Sequence, residues 1–197
     1  MAVDWEEQWA LFAENFYDGK AHVALKDKTL LLLPGPGFGD LSHPTTALVL
    51  EMLRAFVPGE DVLDIGSGSG ILSLAALLLG ARSALGIDID PEAIEHAKKN
   101  NRLNGLNARF RLKLPRRIPP SIALMNMIFS EQKAAFCNRA NEAAKLWITS
   151  GILASQEKEY LEQTARWGWK IAEKRQKGEW LGFVFENWKL AQKGQFP

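Results

Sequence analysis

Short β-rich runs alternate with longer helical patterns from residue 61 onward, and this alternation constrains the fold more than any other feature. The predicted strands are 61–66, 83–88, 121–128 and 146–153, and helical patterns follow them at 70–80, 91–105, about 131–145 and 156–168. Strands that alternate with helices are typical of a parallel sheet covered by helices on both faces. Two further runs, near 169–175 and 180–187, are close enough in sequence to form a hairpin, which predicts an antiparallel edge.

The first strand of this series runs directly into the glycine-rich stretch "VLDIGSGSG" at 62–70. Glycine lets the backbone approach a ligand closely and adopt a positive φ angle, and the helix that follows offers unpaired N–H groups to negative charge. Asp88 ends the next strand, 22 residues after Gly66. An acid at that place can accept hydrogen bonds from two ribose hydroxyls. The order of strand, glycines, helix, strand and acid therefore predicts a site for a nucleoside ligand.

The spacing of the glycines argues against a dinucleotide. The dinucleotide fingerprint requires a glycine at position 71 if it starts at Gly66, and position 71 is isoleucine. A phosphate-binding loop would end in Gly-Lys-Ser or Gly-Lys-Thr, and this stretch does not. A ligand with a nucleoside but no pyrophosphate fits better, and S-adenosylmethionine is the obvious candidate. A nicotinamide-dependent dehydrogenase is a distant alternative.

Ahead of the glycine-rich stretch, the sequence predicts a helix, a hairpin and a loop that leads into a second helix. Residues 4–16 form an amphipathic helical pattern with acids opposite one apolar stripe. That stripe consists of Trp5, Trp9, Phe12 and Phe16. Two extended runs flank a charged turn at Lys26–Lys28. The loop "GPGFGDLSHPTT" at 35–46 follows, and Ser42 and His43 before Pro44 suit the first turn of a helix.

Size, charge and cysteine content narrow the class of protein. The 197 residues suffice for one α/β domain, and the net charge of +1 gives no broad nucleic-acid footprint. The net charge does not exclude a local basic patch for nucleic acid, formed by Lys113, Arg116 and Arg117. No apolar run approaches the roughly eighteen residues of a transmembrane helix, and the amino terminus lacks the order of a signal peptide. Cys137 is the only cysteine, which favours a reducing compartment. We therefore expect a cytoplasmic protein that contacts neither a membrane nor, directly, a nucleic acid.

Longer stretches of the sequence resemble a known family. "LDIGSGSGILSLAALLLGA" followed by "GIDIDPEAIEHAKKN" is similar to class I S-adenosylmethionine-dependent methyltransferases in general. "LPGPGFGDLSHPTT" more specifically resembles the methyltransferases that modify large-subunit ribosomal protein eleven, the PrmA type. "NMI" at 126–128, "SGIL" at 150–153 and "GEW" at 178–180 match further motifs of that family. The resemblance runs from about residue 4 to residue 188.

The resemblance implies a Rossmann-like class I methyltransferase fold of the α/β class. Its sheet would be mostly parallel and seven-stranded, with an antiparallel edge strand and helices on both faces. The chain would divide into a linker-like N-terminal helix and hairpin at 1–34 and a methyltransferase domain at 35–197. The implied cofactor is S-adenosyl-L-methionine, and the implied enzyme N-methylates a protein amine, with a ribosomal protein as the substrate.

The same resemblance assigns roles in the loop at 35–46. Phe38 and Gly39 would lie against the cofactor, with the aromatic ring beside the sulfonium. His43 would shape the loop, and Thr46 would hydrogen-bond the methionine moiety. From the residues alone, Phe38 could equally fill the core and His43 could equally cap a helix.

Further roles fall on the strand ends. The residues expected along the methionine side of the cofactor are Asp64, Gly66, Gly68 and Gly70. Asp88 would hold the ribose and Ile89 would pack on the adenine. Asn126 would lie beside the reacting centre, where it would contact the cofactor and also orient the acceptor amine as the catalytic residue, although a strand-end asparagine can also simply cap a loop. No residue is expected to bind a metal.

Two departures from the family leave the function open. Only about thirty residues precede the loop, whereas the family usually carries a separate N-terminal domain that recognises the ribosomal protein. The family also has Gly-Asp near 112–113 and Phe-Asp near 120–121, where this sequence has Leu112, Lys113, Pro120 and Ser121. The acid that normally lies near the adenine is thus missing. The alternatives are a non-catalytic S-adenosylmethionine-binding or interaction module, and a methyltransferase that acts on a small amine.

Overall fold

The computed structural model describes residues 4–13, 15–39 and 43–187. The role predicted for Ser42 at the start of a helix and the packing predicted for the Phe12 side chain lie outside the described part. Within it, the chain forms a sheet of three strands and a sheet of seven strands.

The N-terminal part consists of a short helix and the three-stranded antiparallel sheet. Helix α1 spans Trp5–Phe12, and the strands are β1 (Phe16–Tyr17), β2 (Lys20–Leu25) and β3 (Lys28–Leu32). The hairpin around Lys26 is thereby confirmed. The helix predicted over 4–16 is wrong beyond residue 12, because the backbone becomes extended at Ala13 and Phe16 begins β1. The Phe16 ring still packs edge-on against Trp9, at 6.5 Å between ring centroids.

The next helix begins where the sequence predicts it. Helix α2 spans Pro44–Phe56, with proline in its first turn and His43 at its N-cap. The strands and helices that follow are β4 (Asp61–Ile65), α3 (Ile71–Leu78), β5 (Ser83–Ile87), α4 (Pro91–Leu103), β6 (Arg109–Arg111), β7 (Ser121–Asn126), α5 (Phe129–Ala135), α6 (Asn138–Ala143), β8 (Ala144–Leu153), α7 (Glu157–Trp167), β9 (Trp169–Lys177) and β10 (Trp180–Asn187).

The seven-stranded sheet has the order β6-β5-β4-β7-β8-β10-β9. Strands β4 to β8 are parallel to their neighbours among themselves, and β10 runs antiparallel to both β8 and β9. The predicted α/β class and the mostly parallel sheet are confirmed. The closing hairpin forms the antiparallel edge, and within it the reversed strand is β10, one position in from the edge strand β9.

Two predictions of secondary structure need correction. The helix predicted over about 131–145 is two helices, α5 and α6, separated by extended backbone at Phe136 and Cys137. The break lets the Phe136 ring stack on Trp167 at 4.6 Å, a long-range contact that no local pattern encodes. Strand β6 was not predicted, because three residues with only Phe110 buried give too short an apolar signal.

Two apolar clusters lie on opposite faces of the large sheet. One joins helices α2, α3 and α4 to the small N-terminal sheet, and the other joins α5, α6 and α7 to the opposite face. Helices therefore cover both faces, as the alternation predicts. The boundary between a linker-like segment at 1–34 and a domain at 35–197 stays a prediction, although β2 and β3 share the first cluster with α2 to α4.

Three polar side chains, two on α4 and one at its C-cap, fix the segment that leads into the loop after β3. Asn104 and Asn100 bind the backbone of β3 and its end, with Asn104 Oδ1 accepting from Leu31 N at 2.9 Å and Asn100 Oδ1 from Leu33 N at 2.8 Å. His96 donates from Nε2 to Leu33 O at 2.7 Å and accepts from Gly37 N at Nδ1 at 3.1 Å. Burial lowers the pKa of His96, which favours this neutral form. The backbone from Leu31 to Gly37 is thereby held in place by α4 and the residue that follows it.

Candidate active site

A cavity of about 650 Å³ opens at the carboxyl ends of β4, β5 and β7. Ligands bind at this edge in open parallel sheets because the strand order reverses there. The lining combines the loop after β3, the glycine loop after β4, the acids after β5, the residues after β7 and one face of α5. Its members include Pro36, Gly37, Phe38, His43, Gly66, Gly68, Asp88, Ile89, Asp90, Ala93, Asn126, Met127, Ile128, Glu131, Ala134, Ala135, Gly151 and Trp180.

The charge of the lining is one-sided. Asp88, Asp90 and Glu131 contribute carboxyl groups, and none of the described Lys and Arg residues lines the cavity. Such a surface favours a cationic ligand and disfavours a phosphate. Over the described residues, no three His, Cys, Asp or Glu side chains converge to hold a metal ion, and no helix has the length and apolar character to cross a bilayer.

Two glycine segments interlock beneath the cavity. Gly68 has a φ of +53°, and a Cβ there would lie 2.5 Å from the carbonyl oxygen of Phe38. A Cβ on Gly37 would lie 2.5 Å from the backbone of Gly68 and Ser69. Ser69 fastens the two segments, because its N–H donates to Phe38 O at 2.9 Å and its hydroxyl donates to Gly39 O at 2.6 Å. The loop after β3 therefore rests directly on the glycine loop.

Asp88 holds the glycine loop from the opposite side. Its carboxylate accepts from Gly68 N at 2.9 Å and from Asp90 N at 3.0 Å, and it lines the cavity half-buried. Each carboxylate oxygen retains a lone pair after these bonds. The side chain can thus position the loop and still accept hydrogen bonds from a ligand. Ile89, next in sequence, is 92% exposed at the rim, where an apolar side chain has no packing partner of its own.

Asn126 ends β7 with an incomplete set of hydrogen bonds. Its side chain is buried at the cavity, and Nδ2 donates to the Thr46 hydroxyl at 3.4 Å. The other amide atom, Oδ1, is buried and has no hydrogen-bond partner within the part of the chain that the structure describes. A buried acceptor without a partner costs about 1–3 kcal/mol. A ligand that donates a hydrogen bond into the cavity would remove that penalty.

An aromatic wall stands at the other end of the cavity. The His43 ring lies edge-on to Trp180 at 5.0 Å and to Phe38 at 5.5 Å, and Nδ1 contacts the Thr45 hydroxyl at 2.8 Å. Phe38 is 55% exposed, so it does not fill the core, and His43 both lines the cavity and caps α2. The helix-capping interpretation of His43 is therefore confirmed, and its role beside a cofactor stays a prediction.

Four of the residues that the resemblance placed at the cofactor do not line the cavity. Gly39 and Gly70 serve packing instead, since a Cβ on Gly39 would meet Ile71 and one on Gly70 would meet Phe110. Thr46 is fully buried behind Asn126. The fourth residue is Asp64.

Asp64 points into the start of α3. Its Oδ2 accepts from Ser73 N at 3.2 Å and from the Ser73 hydroxyl at 2.8 Å, and its buried Oδ1 has no partner in residues 4–13, 15–39 and 43–187. Burial raises the pKa of Asp64 to about 7, and the negative charge of Asp88 adds to the rise, against the hydrogen bonds from Ser73. The side chain therefore supports the glycine loop from below.

Trp180, Gly151 and Glu131 also line the cavity, although the sequence did not predict them as site residues. Trp180 stands in the "GEW" motif and Gly151 in the "SGIL" motif, but neither motif indicates which side chain faces the cavity. Glu131 lies on the same face of α5 as Ala134 and Ala135, and among the described residues it has no hydrogen bond or ion pair. Only the helical spacing of these three residues could have grouped them in advance.

The floor of the cavity is locked by a buried network. Gln132 donates from Nε2 to Met127 O at 2.8 Å and to Ser150 O at 2.9 Å, which ties the end of β7 to β8. Tyr160 hydrogen-bonds Gln132 Oε1 at 2.8 Å. Gly151, with a φ of +93°, packs against the Met127 backbone where no Cβ would fit. The backbone that follows Asn126 is therefore rigid.

Known proteins share these sequence features. The family model "Ribosomal protein L11 methyltransferase (PrmA)" matches residues 18–187, which include every candidate site residue named above. The chain belongs to the ribosomal protein L11 methyltransferase family.

Individual members of the PrmA family match nearly the whole of this chain. The ribosomal protein L11 methyltransferase of Dictyoglomus thermophilum is 35% identical over 93% of this chain, and that of Marinobacter nauticus is 37% identical over 90%. The chain covers 66% and 65% of these two proteins, and 55% of the Geobacter metallireducens relative. It thus spans about two thirds or less of the length of the curated relatives.

A solved structure from the same family has the same fold. The ribosomal protein L11 methylase of Lactobacillus delbrueckii subsp. bulgaricus superposes with a TM-score of 0.67 at 29% identity, over 74% of this chain and 79% of that chain. The tRNA (uracil-54, C5)-methyltransferase of Pyrococcus abyssi, solved with S-adenosyl-L-homocysteine, superposes with a TM-score of 0.61 at 19% identity, which supports the fold alone.

Proposed function

We propose that this chain binds S-adenosylmethionine and transfers its methyl group to a protein amine, with a ribosomal protein as the substrate. The observation that carries the proposal is the buried Oδ1 of Asn126, which has no hydrogen-bond partner among the described residues and lies beside a glycine loop that Asp88 holds in place. Together they provide an acceptor for a donor group at the cavity and an acid that is free to bind ribose hydroxyls.

The cavity fits the cofactor in shape and charge. Asp88 would bind the ribose, and the adenine would pack on the apolar part of the lining, which includes Ile89, Ala93, Ala134 and Ala135. Glu131, at one end of that α5 face, would supply the acid that is missing at Lys113 and accept from the adenine amino group. Phe38 and Gly68 would lie along the methionine moiety. The carboxyl groups of the lining suit the positive sulfonium.

Binding would present an activated methyl group to the acceptor, so the protein's own contribution is mainly orientation. Holding two reactants in the correct geometry can contribute about 7–11 kcal/mol to the barrier. Asn126 Oδ1 would accept an N–H of the acceptor amine and direct its lone pair. A lysine amine has an ordinary pKa of about 10.4 and must be neutral to react. The apolar walls formed by Met127, Ile128 and Trp180 disfavour the charged ammonium by desolvation.

The acceptor is proposed from the family rather than from the cavity. Relatives that are 35–37% identical are named for ribosomal protein L11. The region that these relatives share with this chain includes the cavity, and about a third of each relative lies outside the matched region. Methylation of a ribosomal protein by this chain is therefore a proposal about its substrate.

Two measurements test the proposal. Calorimetric titration with S-adenosylmethionine and S-adenosylhomocysteine should give micromolar binding, and radiolabelled methyl transfer to purified ribosomal proteins should follow. Asn126→Ala should keep cofactor affinity within a few-fold and lose at least tenfold in transfer rate, because only the acceptor loses its hydrogen-bond partner. The absence of binding at millimolar cofactor refutes the proposal.

The pattern of the results separates the alternatives. Binding without transfer to any acceptor would identify a non-catalytic module. Transfer to small amines but not to ribosomal proteins would identify a small-molecule methyltransferase.

A further inference from the structure

Positive charge is segregated along this chain in a way that the net charge conceals. Residues 96–130 contain eight Lys and Arg side chains and no Asp or Glu. The rest of the chain has 16 basic and 23 acidic side chains, a balance of −7. The prediction of no direct nucleic-acid contact depends on the net charge of +1 for the whole chain. That net charge averages a basic region and an acidic region.

The structure gathers five of these cations on one exposed segment, which we call the basic strip. It consists of Arg109, Arg111, Lys113, Arg116 and Arg117, all exposed. None of the five takes part in a salt bridge of the described residues. Elsewhere in the described residues, five Lys and Arg side chains pair with a glutamate: Lys98, Lys133, Lys145, Lys174 and Arg175.

Packing explains why the charges of the basic strip point outward. Arg109 and Arg111 flank the buried Phe110 on β6, so both lie on the face of the edge strand opposite to that ring. In the loop that follows, Leu114 and Ile118 pack against the apolar cluster beneath. Lys113, Arg116 and Arg117 are left on the solvent side.

The basic strip is anchored and lies next to the cavity. Arg139, itself exposed and cationic, donates from Nη1 to Pro115 O at 3.3 Å and holds the loop to α6. Asp88 N donates to Arg111 O at 3.2 Å, so the strip begins at the residue that we assign to the ribose of the cofactor. A partner bound to the strip would therefore lie at the mouth of the cavity.

We propose that the basic strip binds the phosphate backbone of RNA. Four of its five cations are arginines, whose planar forks bind phosphate through two parallel hydrogen bonds. An extended segment of nine residues spans at most about 30 Å, the axial length of about nine phosphates of one nucleic-acid strand. Leu112, 45% exposed within the strip, offers an apolar contact to a base. The named substrate of the relatives is a ribosomal protein, which makes RNA the polyanion closest to such an enzyme.

Fluorescence anisotropy with a labelled 20-nucleotide single-stranded RNA tests this proposal. For five phosphate contacts, the logarithm of the binding constant should fall against the logarithm of salt concentration with a slope of about −3.5. The variant R109E/R116E/R117E should bind at least tenfold more weakly at 50 mM salt, and its slope should be smaller in magnitude by about 2. The control K158E/K170E/K177E changes the net charge equally with exposed lysines that make no ion pair in the described residues, and it should bind within threefold of the wild type.

Several outcomes overturn the proposal. These are no RNA binding by the wild type at micromolar protein, equal weakening by both triple variants, tighter binding to DNA of the same sequence, and equal competition by polyglutamate or by anionic vesicles. Neither triple variant touches the cavity lining, so both should melt like the wild type and bind S-adenosylhomocysteine like it. If no form of the protein binds that ligand, the proposed function fails while the RNA result stands by itself.

Discussion

Replacement of Asp88 by asparagine tests the assignment of the cavity most directly. The carboxylate accepts from Gly68 N at 2.9 Å and from Asp90 N at 3.0 Å, and we assign its remaining lone pairs to two ribose hydroxyls. Hydrogen bonds to a charged group contribute about 1.5–3 kcal/mol each. Asparagine keeps one acceptor oxygen but places an NH₂ group where the second oxygen stood. The loss of one ribose bond and the weakening of the other should total about 2–3 kcal/mol.

This loss corresponds to a dissociation constant roughly 30- to 150-fold higher for S-adenosylhomocysteine, measured by isothermal titration calorimetry. Asp90→Asn is the matched control, because it removes the same charge from the same cavity rim. Asparagine also caps helices well, so the hydrogen bond from Glu92 N at 2.8 Å should survive there. We expect less than a threefold change for this control. If Asp88→Asn binds within threefold of the wild type, or if both variants weaken binding equally, Asp88 does not hold the ribose.

Two further predictions concern the supports of the cavity. Because burial raises the pKa of Asp64 from an ordinary 3.8 to about 7, the unfolded chain loses this proton first as pH rises, and about 3 kcal/mol of stability should be lost between pH 4 and 7. Urea unfolding across that range should show this fall in the wild type relative to Asp64→Asn, and parallel pH profiles would contradict it. Gly151→Ala, where the Cβ would strike the Met127 backbone at a φ of +93°, should cost about 1–3 kcal/mol more in urea unfolding than Gly105→Ala, whose Cβ would meet open space at a φ of +62°. Equal costs for the two alanines would show that the contact with Met127 is not what requires glycine at 151.

The alternation of strands and helices, the hairpin at the end and the glycine loop could all be predicted from the sequence, because each depends on local periodicity or on glycine spacing. The position of Asp88 at a strand end belongs with them. The carboxyl ends of neighbouring parallel strands lie at one edge of the sheet, so the sequence alone predicted that these features come together there. The family resemblance also rested on contiguous motifs, and the match over residues 18–187 confirms it.

Side-chain direction could not be predicted in the same way. Asp64 lies in the same motif as Gly66 and Gly68, yet its carboxyl group turns toward Ser73, because the Cβ of a strand residue points to one face and helix α3 occupies that face. Trp180 and Glu131 reach the cavity from elements far away in sequence.

The exposure of the basic strip also could not be predicted from the sequence alone. Its five charges are visible in the sequence, but whether acids neutralise them depends on which elements pack beside β6. Local sequence thus determined the backbone path of this protein, since φ angles and periodicity are properties of neighbouring residues. Tertiary packing decided which groups face the cavity, which are buried without partners and which charges remain open to solvent, since these depend on residues far apart in the chain.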